Sequence, residues 1–156
     1  MYIEKDLVFY NEPLVNQNQI LDFMADKLEK KNYVTKGFRE AVKKREEEFP
    51  TGLKLKGMNI AIVHTEAIFS KTEKLVVIKP EQSVTFKNIE DLKPLEVNLV
   101  FGLILKDSQK HLEVLQRIGQ LLQDNEIIQD IQEVNSQREL VSLMQQYFNE
   151  KEDNSL

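Results

Sequence analysis

Cysteine is absent from this chain of 156 residues, which excludes disulfides, thiolate zinc sites and cysteine nucleophiles. Stability must come from the core, and any chemistry from other groups. No apolar run approaches the roughly 18–20 residues that a membrane span needs, and Met1-Tyr2-Ile3-Glu4-Lys5-Asp6 lacks the basic flank and long apolar core of a secretion signal. A cytoplasmic address is the expectation. A basic stripe is also missing, and with a formal net charge of −5 any phosphate contacts would have to overcome the overall field, so no nucleic-acid partner is expected. Repeats, linkers and low-complexity tracts are missing too. What remains is a globular composition: 41% hydrophobic and 30% charged residues argue against disorder or a collagen-like chain. A chain of this length fits one domain that buries about 68–70% of its extended surface. The expectation is a single domain over 1–150, with 151–156 a disordered tail.

Leu7-Val8-Phe9-Tyr10, within Asp6 to Tyr10, reads as a short strand that ends at the turn-like cluster Asn11-Glu12-Pro13. From Leu14 to Lys31, Ile20, Leu21, Met24 and Leu28 recur at helical steps. Thr35 is a candidate cap for a second helix that runs to about Glu48 and is stopped by Pro50. Strands are expected at Asn59–Val63, Lys74–Ile78 and Leu95–Leu105. In the last of these, Val97, Leu99, Phe101, Leu103 and Leu105 alternate with a second set that includes Val100 and Ile104, which suggests a central strand covered on both faces. Asp107 or Ser108 can cap the next helix, with Leu112, Leu115, Ile118 and Leu122 on its inner stripe, and two short helices complete the chain. Ser136-Gln137-Arg138-Glu139 announces the final one as a capping box. The fold class is α/β: a three-layer sandwich, a mixed sheet with helices on both faces, in the order β-α-α-β-β-β-α-α-α.

Only two histidines occur. His64 closes the apolar run Ile60-Ala61-Ile62-Val63, and a strand tip is a rigid place from which to present an imidazole. His111 falls in the first turn of its helix, where the N-terminus disfavours imidazolium and offers N–H donors to an anion. Two expected strands lie between the histidines, enough chain to return the second to the first. Arg45 offers a bidentate fork for phosphate oxygens. Together, Arg45, His64 and His111 would form a cradle for a phosphohistidine. Composition alone favours plainer roles: a satisfied structural imidazole at the strand end, an exposed His111, Arg45 paired with Glu48 or another acid of its own helix, and Glu46-Glu47-Glu48 as solvated surface.

The segments Arg45-Glu46-Glu47-Glu48-Phe49-Pro50-Thr51-Gly52-Leu53 and Ile60-Ala61-Ile62-Val63-His64-Thr65-Glu66-Ala67-Ile68 change that balance. They resemble type-2 enzyme IIA components of the bacterial phosphoenolpyruvate-dependent sugar phosphotransferase system, the mannitol/fructose superfamily. The Glu-Phe-Pro-Thr-Gly and His-Thr-Glu-Ala-Ile stretches are most like the galactitol-specific branch. The resemblance spans nearly the whole chain. It implies that His64 is the phosphorylated histidine, taking phosphate on Nε2 from the phosphocarrier protein HPr and passing it to a IIB component, with a membrane IIC permease as indirect partner. It also implies that Arg45 is the active-site arginine and that His111 stands where some members have a second active-site histidine. No metal or cofactor is implied. One departure is Val63, where the family usually has proline, so the approach to His64 is expected to be less constrained.

In the implied reaction Nδ1–H of His64 is held by a backbone carbonyl or another acceptor, leaving Nε2 as the attacking lone pair. Val63, Ile68 and Phe69 are candidates for an apolar docking patch, and the acidic surface suits a basic carrier. The rivals are a regulatory IIA-like protein of the nitrogen-related kind, a hydrolase with a two-histidine metal site completed by Glu66 or Asp107, and a pure interaction module.

Overall fold

The described residues, 3–149 of a computed structural model, run as β1 (Val8–Glu12), α1 (Gln17–Lys30), α2 (Phe38–Glu48), β2 (Gly52–Lys54), β3 (Asn59–Val63), β4 (Lys74–Pro80), β5 (Val84–Lys87), β6 (Pro94–Val97), β7 (Leu99–Ile104), α3 (Ser108–Leu121), α4 (Asn125–Glu133) and α5 (Gln137–Phe148). The expected tail at 151–156 lies outside them. Five strands form a mixed sheet in the order β1-β4-β7-β3-β2. β7 is parallel to β3 and antiparallel to β4. Its six residues are all buried, as a central strand between two helical layers requires.

The pleat of β7 separates two cores. Val100 and Ile104 point to a cluster that also holds Ile20, Met24 and Leu28 of α1 and Phe38 and Val42 of α2. Leu99, Phe101 and Leu103 point to the opposite cluster, with Ile118 of α3, Ile128 and Ile131 of α4, and Leu140, Met144 and Phe148 of α5. The molecule is therefore a three-layer α/β sandwich with a mixed sheet, as the sequence indicates.

The expected strand Leu95–Leu105 divides at Asn98. Val97 belongs to the α1–α2 core, whereas Leu99, Phe101 and Leu103 belong to the other. A continuous strand would put all four on one face, since successive side chains alternate. Asn98 makes the change of direction: its N–H donates to Asn59 O at 2.9 Å and its side-chain oxygen accepts from Asn59 N–H at 3.3 Å. Before the break, β6 pairs only with β5 in a separate antiparallel hairpin. That hairpin adds Val84, Phe86, Leu95 and Val97 to the α1–α2 core. The observed order therefore contains β2 and β5 beyond the strands expected, and two strands, β6 and β7, where one is expected.

Helix boundaries follow the caps. α1 starts at Gln17, three residues after Leu14, because Asn16 accepts from Gln19 N–H at 2.9 Å. α2 is not capped by Thr35: Gly37 holds the cap position without a side-chain bond, while Thr35 O accepts from Phe38 N–H. Asp107, of the two candidates, caps α3 through Gln109 N–H at 2.9 Å. At α5 Ser136 accepts from Glu139 N–H at 3.1 Å, and the Glu139 carboxylate reaches back to Asn135 N–H at 3.2 Å. Leu112 is the exception to the stripe expected on α3. It is 57% exposed and stands at the sheet edge where the histidines lie.

Gly102 of β7 lets α1 sit directly on the sheet. A Cβ there would lie 2.6 Å from Met24 Sδ and 3.2 Å from Val76 Cβ. Gly102→Val should force both neighbours to move and lower unfolding stability by about 1–3 kcal/mol, read as a reduced urea midpoint with an unchanged slope.

Candidate functional site

Because β3 and β7 are parallel, with Val63 opposite Gly102, both strands finish at the same edge of the sheet. His64 follows β3 directly, and β7 leads through Asp107 into α3, which brings in His111. The two rings stand 5.5 Å apart, centroid to centroid, at an interplanar angle of 44°. Val63 is itself a ladder residue, 1% exposed, so sheet pairing constrains the approach to His64 where a proline would otherwise do so. Burial also removes Val63 from the docking patch expected of it.

His64 is half-buried, and its Nδ1 lies 2.9 Å from Ile62 O. A carbonyl only accepts, so Nδ1 carries the proton and Nε2 keeps its lone pair in the neutral ring. Burial pushes the His64 pKa down and the Arg45 charge adds to this, while the bond to Ile62 O acts the other way. His111 is likewise held below its ordinary value, by burial first and then by His64 and Arg45, with Asp107 opposing. Its Nε2 is buried without a hydrogen-bond partner among the described residues.

Arg45 lies in the last turn of α2 and forms no ion pair with a described residue; Glu48 instead pairs with Lys44 at 4.0 Å. Its guanidinium stacks on Phe49, 4.9 Å from the ring centroid. Cation–π stacking fixes the plane of the fork and leaves its N–H donors free. Two imidazoles held toward the neutral form, a guanidinium with no ion-pair partner among the described residues and the α3 N-terminus thus share one edge, an arrangement suited to holding an oxyanion beside a nitrogen nucleophile. No trio of His, Asp or Glu gathers into a metal cage among the described residues.

The acidic run beside Arg45 is not uniformly solvated. Glu46 is 3% exposed. Its carboxylate accepts from Thr51 N–H at 2.8 Å and from the Thr51 hydroxyl at 2.7 Å. Desolvation, opposed by these bonds, pushes its pKa up to about 7. The signal was present in the spacing, because Glu46 continues the buried stripe Phe38, Val42 of α2 at i, i+4, i+8. Charge concealed it.

A groove of about 470 Å³ runs beside the site, lined by Arg45, Phe49, Thr65, Glu66 and Phe69 among others. Apolar residues stand out around it: Phe49 is 59% exposed and Ile68 is 76% exposed. Phe69, by contrast, packs on the α1–α2 core.

Residues 1–147 match the family described as "Phosphoenolpyruvate-dependent sugar phosphotransferase system, EIIA 2". The chain belongs to this family. It is 31% identical over 117 residues, 75% of this chain and 78% of the relative, to the PTS system galactitol-specific EIIA component of Escherichia coli strain K12. Its fold matches a chain of the complex of enzyme IIAMTL and phosphorylated enzyme IIBMTL from Escherichia coli, with a TM-score of 0.72, 20% identity, and 91% and 96% of the two chains covered. It also matches nitrogen regulatory protein IIA-Ntr from Neisseria meningitidis, with a TM-score of 0.74, 23% identity, and 91% and 95% covered. This EIIA chain is thus a component of a sugar phosphotransferase system. No helix among its described residues is long and apolar enough to cross a membrane.

Between pH 4.5 and 7 the unfolded Glu46 has lost its proton while the folded one retains it. The native state then binds more protons, so this group's contribution to stability falls as pH rises through that window. Glu46→Gln lacks the titration; wild type should lose stability relative to the variant between pH 4.5 and 7, as measured by urea unfolding at stepped pH.

Proposed function

We propose that His64 is the phosphoryl acceptor of this EIIA component, charged by HPr and discharged to a IIB component that serves a membrane IIC permease for a galactitol-like sugar. The observation that carries this reading is the tautomer of His64. With Nδ1–H donated to Ile62 O at 2.9 Å, Nε2 is the nitrogen left with a lone pair, and the lowered pKa of the ring keeps it neutral at the pH of the cytoplasm.

In the transfer step Nε2 attacks phosphorus in line. The new P–N bond forms as the bond to the donor side chain breaks, and the donor leaves with that electron pair. The Nδ1 proton stays on the ring. Arg45 grips the phosphoryl oxygens, and His111 donates an N–H to the group in transit. Delivery to IIB is the same displacement run outward, and neither half needs a metal or cofactor. Positioning and charge neutralisation supply the catalysis.

Identity to a galactitol-specific relative supports the transport reading over a regulatory one, and the complex of a fold relative with a phosphorylated IIB supports IIB as the next acceptor. Ile68, Phe49 and Leu112, each more than half exposed, form the docking patch in place of the buried Val63 and core-packed Phe69. The chain's net charge of −5 favours a basic carrier.

Incubation with phosphoenolpyruvate, enzyme I and HPr should add one acid-labile phosphoryl group to the intact mass of the wild type and none to His64→Ala. Arg45→Ala should slow transfer by about 100-fold or more. Phosphorylated wild type should then pass the group to a galactitol-type IIB. Retention of phosphate in the presence of that IIB would favour the regulatory role, and an unmodified wild type beside active HPr would overturn the phosphocarrier reading. Ile68→Glu should raise KM for phospho-HPr about tenfold with little change in kcat.

A further inference from the structure

We propose that Glu46 is a positioning residue: by clamping Thr51 across the α2–β2 turn it seats Phe49, and through Phe49 it aims Arg45 at His64. This rests on the reading of His64 as the phosphoryl acceptor.

The clamp spans the residues that matter. Glu46 holds the N–H of Thr51 at 2.8 Å and its hydroxyl at 2.7 Å, so the intervening segment is closed as a ring. Phe49 lies inside that ring, its N–H donated to Arg45 O at 2.7 Å and its ring under the Arg45 guanidinium. Among the described residues Arg45 has no carboxylate partner, so the stack on Phe49 is what orients it. Antiparallel pairing of Gly52 with Ala61 directs the turn, read backwards from Gly52, along β3 toward His64. The far side is fixed as well, because a Cβ on Gly52 would meet Lys87 O at 2.5 Å.

A carboxyl is a poor choice for stability alone at this place. The position continues an apolar stripe, where leucine would fill the space without desolvating a charge. Two hydrogen bonds to one residue give what leucine cannot, a defined turn. An isosteric amide can give it too: its oxygen accepts from Thr51 N–H and its NH2 donates to the Thr51 hydroxyl. Neutral Glu46 bonds in that same way.

The test uses the full chain and the NMR titration of His64 in wild type, Arg45→Ala, Glu46→Ala, Glu46→Gln, Thr51→Val and the Arg45→Ala/Glu46→Ala double variant. The charged and titratable groups that act on His64 are Arg45 from α2 and His111 from α3, and Asp107, the α3 cap, acts on His111. Loss of the Arg45 cation should raise the His64 pKa. Glu46→Ala should raise it too, although Arg45 is still present, and should add nothing in the double variant. Removal of the Glu46 carboxyl by itself, protonated up to about pH 7, would leave the His64 pKa unchanged or lower it, so a rise separates the two routes. Glu46→Gln should titrate as wild type. In transfer from phospho-HPr, Glu46→Ala should lose about 10- to 100-fold in kcat with KM changed less than about threefold, and Glu46→Gln should restore it.

An unchanged or lowered His64 pKa in folded Glu46→Ala would overturn the proposal, as would a rise that persists undiminished on the Arg45→Ala background. Should Glu46→Ala not fold, Thr51→Val carries the same criteria, since it removes the hydroxyl arm and keeps the N–H. The titration needs no phosphoryl donor. Coupling of Glu46 to His64 through Arg45 in a protein that HPr fails to phosphorylate would therefore sink the phosphocarrier reading alone, and active transfer without that coupling would sink the clamp alone.

Discussion

The parallel pairing of β3 with β7 is the constraint on which the rest of this protein depends. β7 is buried on both faces, so its position is fixed by two cores at once, and β3 inherits that position through the register from Ile60–Leu99 to Val63–Gly102. Two histidines far apart in the sequence meet because two parallel strands end together. Had β3 run antiparallel to β7, His64 and His111 would stand at opposite edges of the sheet. The close seat of α1 on Gly102 secures this pairing from one side, and the α3–α5 layer secures it from the other.

Much of this was legible in the residues. Long elements with a clear period, such as α1, α5 and the β7 half of Leu95–Leu105, are visible because each buries a complete face. β2 and β5 are not, and β6 reads as the start of β7. Three or four residues are too few to establish a period, even where β5 alternates buried Val84 and Phe86 with exposed Thr85 and Lys87. Asn98 shows the limit of pattern reading, because the alternation of apolar residues continues through it while the faces reverse. The pairing of β6 with β5, and the entry of Val97 and Leu99 into different cores, reveal that the chain has changed sheets.

The candidate site was legible in its nitrogen atoms and hidden in its carboxylate. His64, His111 and Arg45 stand out because imidazoles are scarce here and because their surroundings resemble a known motif. Glu46 sits in the middle of an acidic run, and a charged residue ordinarily lies in water. Helical geometry overrides that expectation. Its position one turn past Val42 commits it to the core, and Thr51 supplies the bonds that make the burial tolerable. Leu112 errs in the opposite sense: it has the spacing of a core residue but lies beside His111 at the first turn of α3, beyond the reach of the core below.

The electrostatics of this edge then acquire a direction. Burial and the Arg45 charge hold both imidazoles toward the neutral form, and His111 keeps a buried nitrogen with no described partner. Each of these costs something in the resting protein. Each is reversed by a bound dianion, which would neutralise the guanidinium, accept from the free ring nitrogen and complement the helix terminus. On the proposed reading a phosphoryl group would complete these polar groups on arrival and, since none of them has to be remade before departure, could be given up again.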